Sequence, residues 1–189
     1  MRDQEIAKIA VRDCRDGDLP VIAEIYAHHV TEGFGSFEEV PPSVDELRRR
    51  RAEIVARGLP YLVASEGATA PVLGYAYASP YRTRSAYRFT VEDSIYVAPG
   101  AARRGIGRTL LAALIERVTA LGYRQMVAVI GDSGNSGSIG LHLALGFALV
   151  GNLPSIGLKR GRWVDGILMQ RALGDGDTTL PIERQPHAS

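Results

Sequence analysis

The length, composition and charge of this chain limit the classes of protein to which it can belong. It has 189 residues, 46% apolar and 23% charged, which is typical of a globular domain with a hydrophobic core. The formal net charge of +1 gives no electrostatic reason to expect nucleic acid or an anionic membrane as a partner.

The N-terminal half predicts strands and helices in alternation. A short strand is expected over residues 9–12, and a helix that opens near Asp16 follows it, with apolar residues at helical spacing. A second helix begins after Ser43, which forms a capping box with Glu46, and it ends at Gly58. Two strands, 61–65 and 72–78, form a predicted hairpin, and an arginine-rich loop follows at 80–88.

The C-terminal half continues in the same mixed order. We expect a strand with its core at 94–97, a helix over 105–121 and a buried strand over 126–130. A further helix near 138–145 and strands at 147–150 and 166–170 complete the predicted elements. The order predicts one α/β domain over residues 8–173, followed by a polar, flexible tail at 174–189.

The most informative stretch joins a strand to a helix through two glycines. Gly105 and Gly107 let the backbone approach a ligand closely, and the free N–H groups of a helix start attract anions. Arg103, Arg104 and Arg108 surround this turn, which therefore suits a pyrophosphate, although a packing turn fits the same pattern equally well. The dinucleotide fingerprint would need a third glycine, and a P-loop would need Gly-Lys-Ser/Thr.

A second motif lies thirty residues beyond Gly105, from Asn135 and Ser138 through His142 to Gly146. Together the two motifs resemble the GNAT superfamily of acyl-CoA N-acyltransferases, and more closely the phosphinothricin and methionine sulfoximine acetyltransferases. The resemblance extends from about Val11 to Arg171. It implies the GNAT fold, with a mixed, mostly antiparallel sheet of about six or seven strands flanked by helices.

The resemblance implies acetyl-CoA as the acetyl donor. The pantetheine arm would lie between two splayed strands, and the pyrophosphate would lie on the glycine turn. The expected contacts are Ile95, Tyr96 and Val97 on the strand, Arg103, Arg104, Gly105, Ile106, Gly107 and Arg108 on the turn, and Asn135 and Ser138 opposite. Ala102 stands where the family usually has Gln or Arg, so we expect weakened rather than lost binding. No metal is expected, because no His, Cys and carboxylate cluster has ligand spacing.

The chemistry of acetyl transfer needs a base, an acid and an oxyanion donor. Glu92 matches the base of the family, whereas Asp93 would point to the opposite side of an extended strand. The Val97 amide is the candidate donor to the thioester oxygen. His142 stands where many members have Tyr, and imidazole can protonate a departing thiolate near neutral pH. Without the resemblance, His142 fits an ordinary helix-face histidine better.

The resemblance implies a substrate such as methionine sulfoximine, methionine sulfone or phosphinothricin. Arg82 or Arg84 would pair with its carboxylate, which suits the geometry of a guanidinium group. Tyr87 belongs to the same loop, and Phe37 matches an aromatic residue near the substrate in the family. Solvated arginines and packed aromatic residues are equally compatible with these positions.

Two rival functions stay open. The same fold acts on other amines, such as a protein N-terminus or a polyamine, although a polyamine pocket would need carboxylates. The other rival is a non-catalytic acyl-CoA sensor, against which Glu92 and His142 argue. The resemblance also implies a homodimer.

The compartment follows from what the sequence lacks. Cys14 is the single cysteine, so no disulfide can form within the chain, as is usual in a reducing cytosol. No apolar segment of a signal peptide follows Met1, and no apolar run approaches the roughly 20 residues that span a bilayer. We therefore expect a cytoplasmic protein.

Overall fold

The structure, a computed structural model, describes residues 9–67 and 70–181. Seven strands within these residues form one sheet, as the resemblance implied. The strands are β1 (Ala10–Asp13), β2 (Tyr61–Ser65), β3 (Val72–Pro80), β4 (Thr90–Val97), β5 (Gln125–Gly131), β6 (Ala148–Lys159) and β7 (Arg162–Ala172).

Four α-helices are found in the same part of the chain: α1 (Leu19–Glu32), α2 (Val44–Ala56), α3 (Ile106–Ala120) and α4 (Ser136–Ala144). The start of α2 confirms half of the predicted capping box, because the Ser43 hydroxyl accepts from the Glu46 N–H at 3.2 Å. The Glu46 carboxylate pairs with Arg49 and Arg50 instead of returning to Ser43.

The strands lie in the order β1-β2-β3-β4-β5-β7-β6. Neighbouring strands run antiparallel except for β4 and β5, which are parallel. The helix α3 connects these two strands, as a parallel pair requires. The expectation of a mixed, mostly antiparallel sheet flanked by helices is therefore confirmed.

The core lies between the sheet and its helices. Leu110, Leu111 and Leu114 of α3 are fully buried, as the helical spacing predicted. Gly74 of β3 lets α3 approach closely, since a Cβ atom there would lie 3.1 Å from Ile106 and 3.2 Å from Leu110. The start of α3 is thereby fixed against the middle of the sheet.

The C-terminal region differs most from the sequence-based expectation. The two strands predicted at 147–150 and 166–170 are too short, because β6 and β7 form one long hairpin with irregular register between Leu149 and Gly151 and between Leu153 and Gly157. Such interruptions break the alternation from which strands are recognised. Of the predicted tail, residues 174–177 form a turn and 178–179 a bend, and Arg124 donates to the Gly176 carbonyl and the Thr179 hydroxyl. Residues 182–189 lie outside the described residues.

No helix in the described ranges is long and apolar enough to cross a membrane.

Candidate active site

The parallel strands β4 and β5 separate part-way along their length. Their pairing runs from Thr90 with Gln125 to Asp93 with Ala128, and then each strand continues, to Val97 and to Gly131. The opening between them is a cleft of about 720 Å³. Both expected walls are present, since residues of the glycine turn line one side and residues of α4 line the other.

Backbone groups of β4 face this cleft in alternation. Ala98 donates to the Leu73 carbonyl at 2.8 Å, so Tyr96 and Ser94 also exchange hydrogen bonds with β3. The N–H and C=O groups of Ile95 and Val97 therefore point away from β3 and towards the cleft. Of the three predicted strand contacts, Tyr96 offers the cleft no backbone donor.

His29 supplies a contact that the sequence did not predict. Its Nε2 atom lies 2.8 Å from the Val97 carbonyl, to which it must donate because a carbonyl only accepts. Burial lowers the pKa of His29, which keeps the ring neutral with its proton on Nε2. His29 also lines the cleft.

The turn before α3 has the geometry of an anion site. Gly105 adopts a left-handed conformation with φ of 82° directly before the helix, and Arg103 is also left-handed, with φ of 61°. The first N–H groups of α3 have no partner within the helix and give its start a partial positive charge. Arg103 and Arg108 line the cleft beside this helix start, together with Ile106 and Gly107.

Arg104 is not brought to the cleft. Its guanidinium pairs with Glu66, which follows β2. The resemblance and the position of Arg104 in the turn both predicted a contact with the ligand. In the structure, the residues on either side of it, Arg103 and Gly105, are left-handed. Ala102, by contrast, lines the cleft as the resemblance implied.

The opposite wall is the start of α4. Asn135 caps this helix, because its side-chain oxygen accepts from the Ser138 N–H at 3.2 Å. Its amide nitrogen lies 3.5 Å from the Gly131 carbonyl at the end of β5. Asn135 and Ser138 both line the cleft, so the structure brings them together with the glycine turn as expected.

Glu92 lies half-buried one residue before the strands separate. Burial raises the pKa of Glu92, the charge of Asp93 raises it further, and the charge of Arg82 opposes both. A carboxylate with a raised pKa binds a proton more readily than an exposed one does, which suits it to accept a proton from an amine.

His142 is buried against the other face of β4. Its Nδ1–H donates to the Ser138 carbonyl at 2.7 Å, and its Nε2 lies 3.0 Å from Asp93 Oδ2. Burial disfavours the charged ring, but the hydrogen bond and charge of Asp93 and the Ser138 carbonyl outweigh it and raise the pKa of His142. Period-two alternation correctly separated Asp93 from Glu92, but it gave no sign that Asp93 meets His142.

Only some of the residues predicted to bind the substrate lie close to Glu92. Arg82 lies close enough to Glu92 to affect its pKa, and its guanidinium lies 4.9 Å from the Tyr81 ring centre. Tyr87 packs edge-on against Tyr81 with ring centres 5.7 Å apart. Arg84 is exposed on the same loop. This loop precedes β4 and so leads directly to Glu92.

Phe37 lies over the β6–β7 hairpin. A Cβ atom on Gly157 would approach its ring to 2.5 Å, and Phe37 is not among the side chains that line the cleft. Phe34 and Gly35 of the same loop do line it, which sequence reasoning missed. The glycine at position 131 was a usable sign in the sequence that another segment of backbone passes close to the end of β5. A Cβ atom there would collide with the Phe34 carbonyl.

The fold and this cleft are those of an acyltransferase class, and the sequence matches agree. The model of the Acetyltransferase (GNAT) family matches residues 22–147. The chain therefore belongs to the GNAT acetyltransferase family.

Individual relatives are similar over nearly their whole lengths. Phosphinothricin N-acetyltransferase of Alcaligenes faecalis is 57% identical over 179 residues, which cover 94% of this chain and 90% of that protein. L-methionine sulfoximine/L-methionine sulfone acetyltransferase of Pseudomonas paraeruginosa is 44% identical, covering 85% and 92%. A phosphinothricin acetyltransferase from Sinorhizobium meliloti, solved with AcCoA, superposes with a TM-score of 0.89 at 50% identity, covering 93% and 94%.

The described residues contain no group of three or more His, Cys, Asp or Glu side chains placed to hold a metal ion.

Gly107 gives a direct test of the cleft. A Cβ atom there would lie 3.2 Å from Leu141 and 3.7 Å from Val97, so Gly107→Leu should fill the space between α3, α4 and β4. We expect the Kd for acetyl-CoA, measured by calorimetry, to rise at least about tenfold. Gly140→Ala is the control, because Gly140 is helical with open space around it, and its Kd should match that of the unmodified chain. Equal affinity in both variants would show that the ligand lies elsewhere.

Proposed function

We propose that this protein transfers the acetyl group of acetyl-CoA to the α-amine of a small amino acid analogue of the phosphinothricin, methionine sulfoximine or methionine sulfone type. The observation that carries the proposal is the cleft between the separated strands, with the half-buried Glu92 one residue before the point where β4 and β5 separate. The relatives named above act on these compounds, and the Sinorhizobium meliloti protein was solved with AcCoA.

The residues present fit acetyl-CoA. The outward N–H and C=O groups of Ile95 are suited to pair with the amides of the pantetheine arm, as a neighbouring strand would. The start of α3, with Arg103 and Arg108, is suited to the pyrophosphate. Ala102 removes one side-chain contact that the family usually has, but backbone N–H groups supply most of this site.

Glu92 acts as the base in this proposal. An ammonium group has no free electron pair, so the amine must lose a proton before or during its attack on the thioester carbon. As the nitrogen–carbon bond forms, Glu92 accepts the proton, and the Val97 N–H stabilises the negative charge on the thioester oxygen. The raised pKa of Glu92 makes activity rise with pH as the carboxyl group ionises.

His142 acts as the acid. When the carbon–sulfur bond breaks, its electron pair goes to sulfur. The protonated His142 gives the thiolate its Nε2 proton, which leaves the hydrogen bond to Asp93 Oδ2 as it is transferred. Solvent then returns a proton to the ring and receives the one held by Glu92. His142 protonates sulfur, while Glu92 deprotonates nitrogen from the opposite face of β4.

A Glu92→Gln substitution tests the base. We expect kcat to fall about 10²- to 10⁴-fold, because glutamine cannot accept the proton, while the Kd for acetyl-CoA stays the same. Turnover of methionine sulfoximine is followed by thiol release. Glu116→Gln, on the exposed side of α3, should keep the original kcat. An unchanged kcat in Glu92→Gln from about pH 6 to 9 would assign the base to another group.

The substrate carboxylate is assigned to the loop before β4. Arg82 is our first candidate because its charge acts on Glu92. Arg82 would bind the carboxylate of the amino acid while Glu92 faces its α-amine. Arg84 is the second candidate, because it lies on the same loop and is exposed, as Arg82 is.

Recognition of the carboxylate is measured with a substrate pair. We expect kcat/KM for methionine sulfoximine to exceed that for its carboxamide by at least about tenfold, because a carboxamide cannot form the charged, two-point contact that a carboxylate makes with a guanidinium group. Arg82→Ala should abolish most of this preference, and Arg84→Ala should leave more of it. Equal rates on the acid and the amide would exclude carboxylate recognition, and a preference that survives both substitutions would assign it to other groups.

The rival functions are separated by an amine panel. A sensor would bind acetyl-CoA without releasing thiol for any amine. An enzyme for polyamines or protein N-termini would prefer spermidine or a short peptide over methionine sulfoximine.

We propose a homodimer formed through β6. This strand lies at the edge of the sheet and exposes large apolar side chains along its length. They are Leu149, Val150, Leu153, Ile156 and Leu158, each at least 41% exposed. An uncovered apolar edge strand favours association, and a second copy of the chain would cover it.

Light scattering tests the dimer. The unmodified chain should have twice the mass of one chain, and Val150→Asp should shift the mass towards one chain because a charge would be buried in the interface. Val55→Asp, on an exposed position of α2, is the control and should stay dimeric. A monomeric unmodified chain would rule out the dimer.

A further inference from the structure

A second carboxylate, Asp93, follows Glu92 directly, but its side chain points to the opposite face of the sheet. Asp93 is 6% exposed and lines the cleft at the last position of β4 that pairs with β5. Its Oδ2 atom lies 3.0 Å from His142 Nε2. Its Oδ1 atom is buried without a hydrogen-bond partner among the described residues. Burying a carboxylate with one oxygen unpaired is costly, so this arrangement calls for an explanation.

The hydrogen bonds of His142 determine where its protons are. Nδ1 must carry a proton, because the Ser138 carbonyl at 2.7 Å can only accept one. A neutral ring would then direct the Nε2 lone pair at the carboxylate of Asp93. Two acceptors at 3.0 Å repel each other, so a second proton lies between Nε2 and Oδ2.

We propose that Asp93 is a positioning residue for acetyl transfer, which holds His142 in the doubly protonated form and fixes its ring at the narrow end of the cleft. This inference rests on the proposed function, because it assigns to Asp93 the task of keeping the leaving-group acid protonated. Glu92 is then the base, and its neighbour Asp93 supports the acid, His142, on the opposite face of the same strand.

The other groups around His142 leave Asp93 as the source of this effect. From β5, Ala128 and Ile130 bring no charge to the cleft. Asp132, the other carboxylate that lines it, is paired with Arg162 at 2.7 Å. The Phe147 ring packs edge-on against the imidazole with centres 4.9 Å apart. On α3, Arg108 lines the cleft, and a positive charge there would favour the neutral ring. Arg171 of β7 donates to the Leu145 carbonyl at the end of α4.

The arrangement has a distinctive consequence for pH dependence. The negative charge of Asp93 raises the pKa of His142 and contributes to the raised pKa of Glu92. Activity requires Glu92 ionised and His142 protonated. Removing the charge lowers both pKa values, so both limbs of the pH profile move to lower pH together. A residue with only a structural role would lower activity without moving the limbs.

The test compares Asp93→Asn with the unmodified chain in two measurements. The first is kcat against pH with methionine sulfoximine. We expect both limbs to move down by about one pH unit or more, the range produced by one nearby charge. The loss of kcat should therefore be larger at about pH 8.5 than at about pH 6.5. His142→Gln should lose the alkaline limb, and Asp18→Asn, which removes a buried carboxylate paired with Arg12, should keep both limbs in place.

The second measurement is the NMR titration of the His142 ring without substrate, assigned by its absence in His142→Gln. We expect the His142 pKa to lie above the ordinary histidine value of about 6.5 in the unmodified chain and to fall in Asp93→Asn. Unmoved limbs, or an unmoved His142 titration, would overturn the proposal. If Asp93→Asn does not fold, a His142 pKa below the ordinary histidine value of about 6.5 in the unmodified chain overturns it instead. If the unmodified chain acetylates no amine, the proposed function fails, and the titration still decides whether Asp93 holds the ring protonated.

Discussion

The separation of β4 and β5 is the constraint on which the site depends. Two parallel strands that part after Asp93 and Ala128 turn backbone donors and acceptors towards the space between them. Unpaired backbone groups in an interior are costly, so this space has to be satisfied by side chains, water or a ligand. His29 donates a hydrogen bond to the Val97 carbonyl, and the Asn135 side-chain amide lies near the Gly131 carbonyl. The remaining groups on β4 offer a ligand an edge resembling that of a sheet.

The walls of the cleft are built around that separation. Gly74 lets α3 approach β3, which places the start of this helix at the open end of the cleft. On the far side, the loop after α1 is held by Lys159, whose Nζ donates to the Ser36 carbonyl at 2.6 Å, and by the Arg162 guanidinium 4.6 Å from the Phe34 ring centre. The two sides belong to distant parts of the chain, so the cleft depends on the whole fold.

The sequence predicts the local parts of this arrangement well. Helical spacing identified α3, and period-two alternation placed Glu92 and Asp93 on opposite faces of β4. The residues it could not place depend on contacts distant in sequence. His29 meets Val97 across 68 positions, His142 meets Asp93 across 49, and Arg104 leaves the cleft for Glu66, 38 positions away. No local pattern encodes such pairs, and the long β6–β7 hairpin was missed because register shifts interrupt its alternation.

The central claim is that the separated edge of β4 binds the arm of acetyl-CoA. Residue-resolved amide hydrogen exchange, measured with and without saturating acetyl-CoA, tests it most directly. We predict that the Ile95 amide, which faces the cleft, exchanges at least about tenfold more slowly when acetyl-CoA is bound, since a new hydrogen bond must open before exchange. The Tyr96 amide is already bonded to β3 and serves as the internal control. Unchanged exchange at Ile95 under saturation would contradict the account.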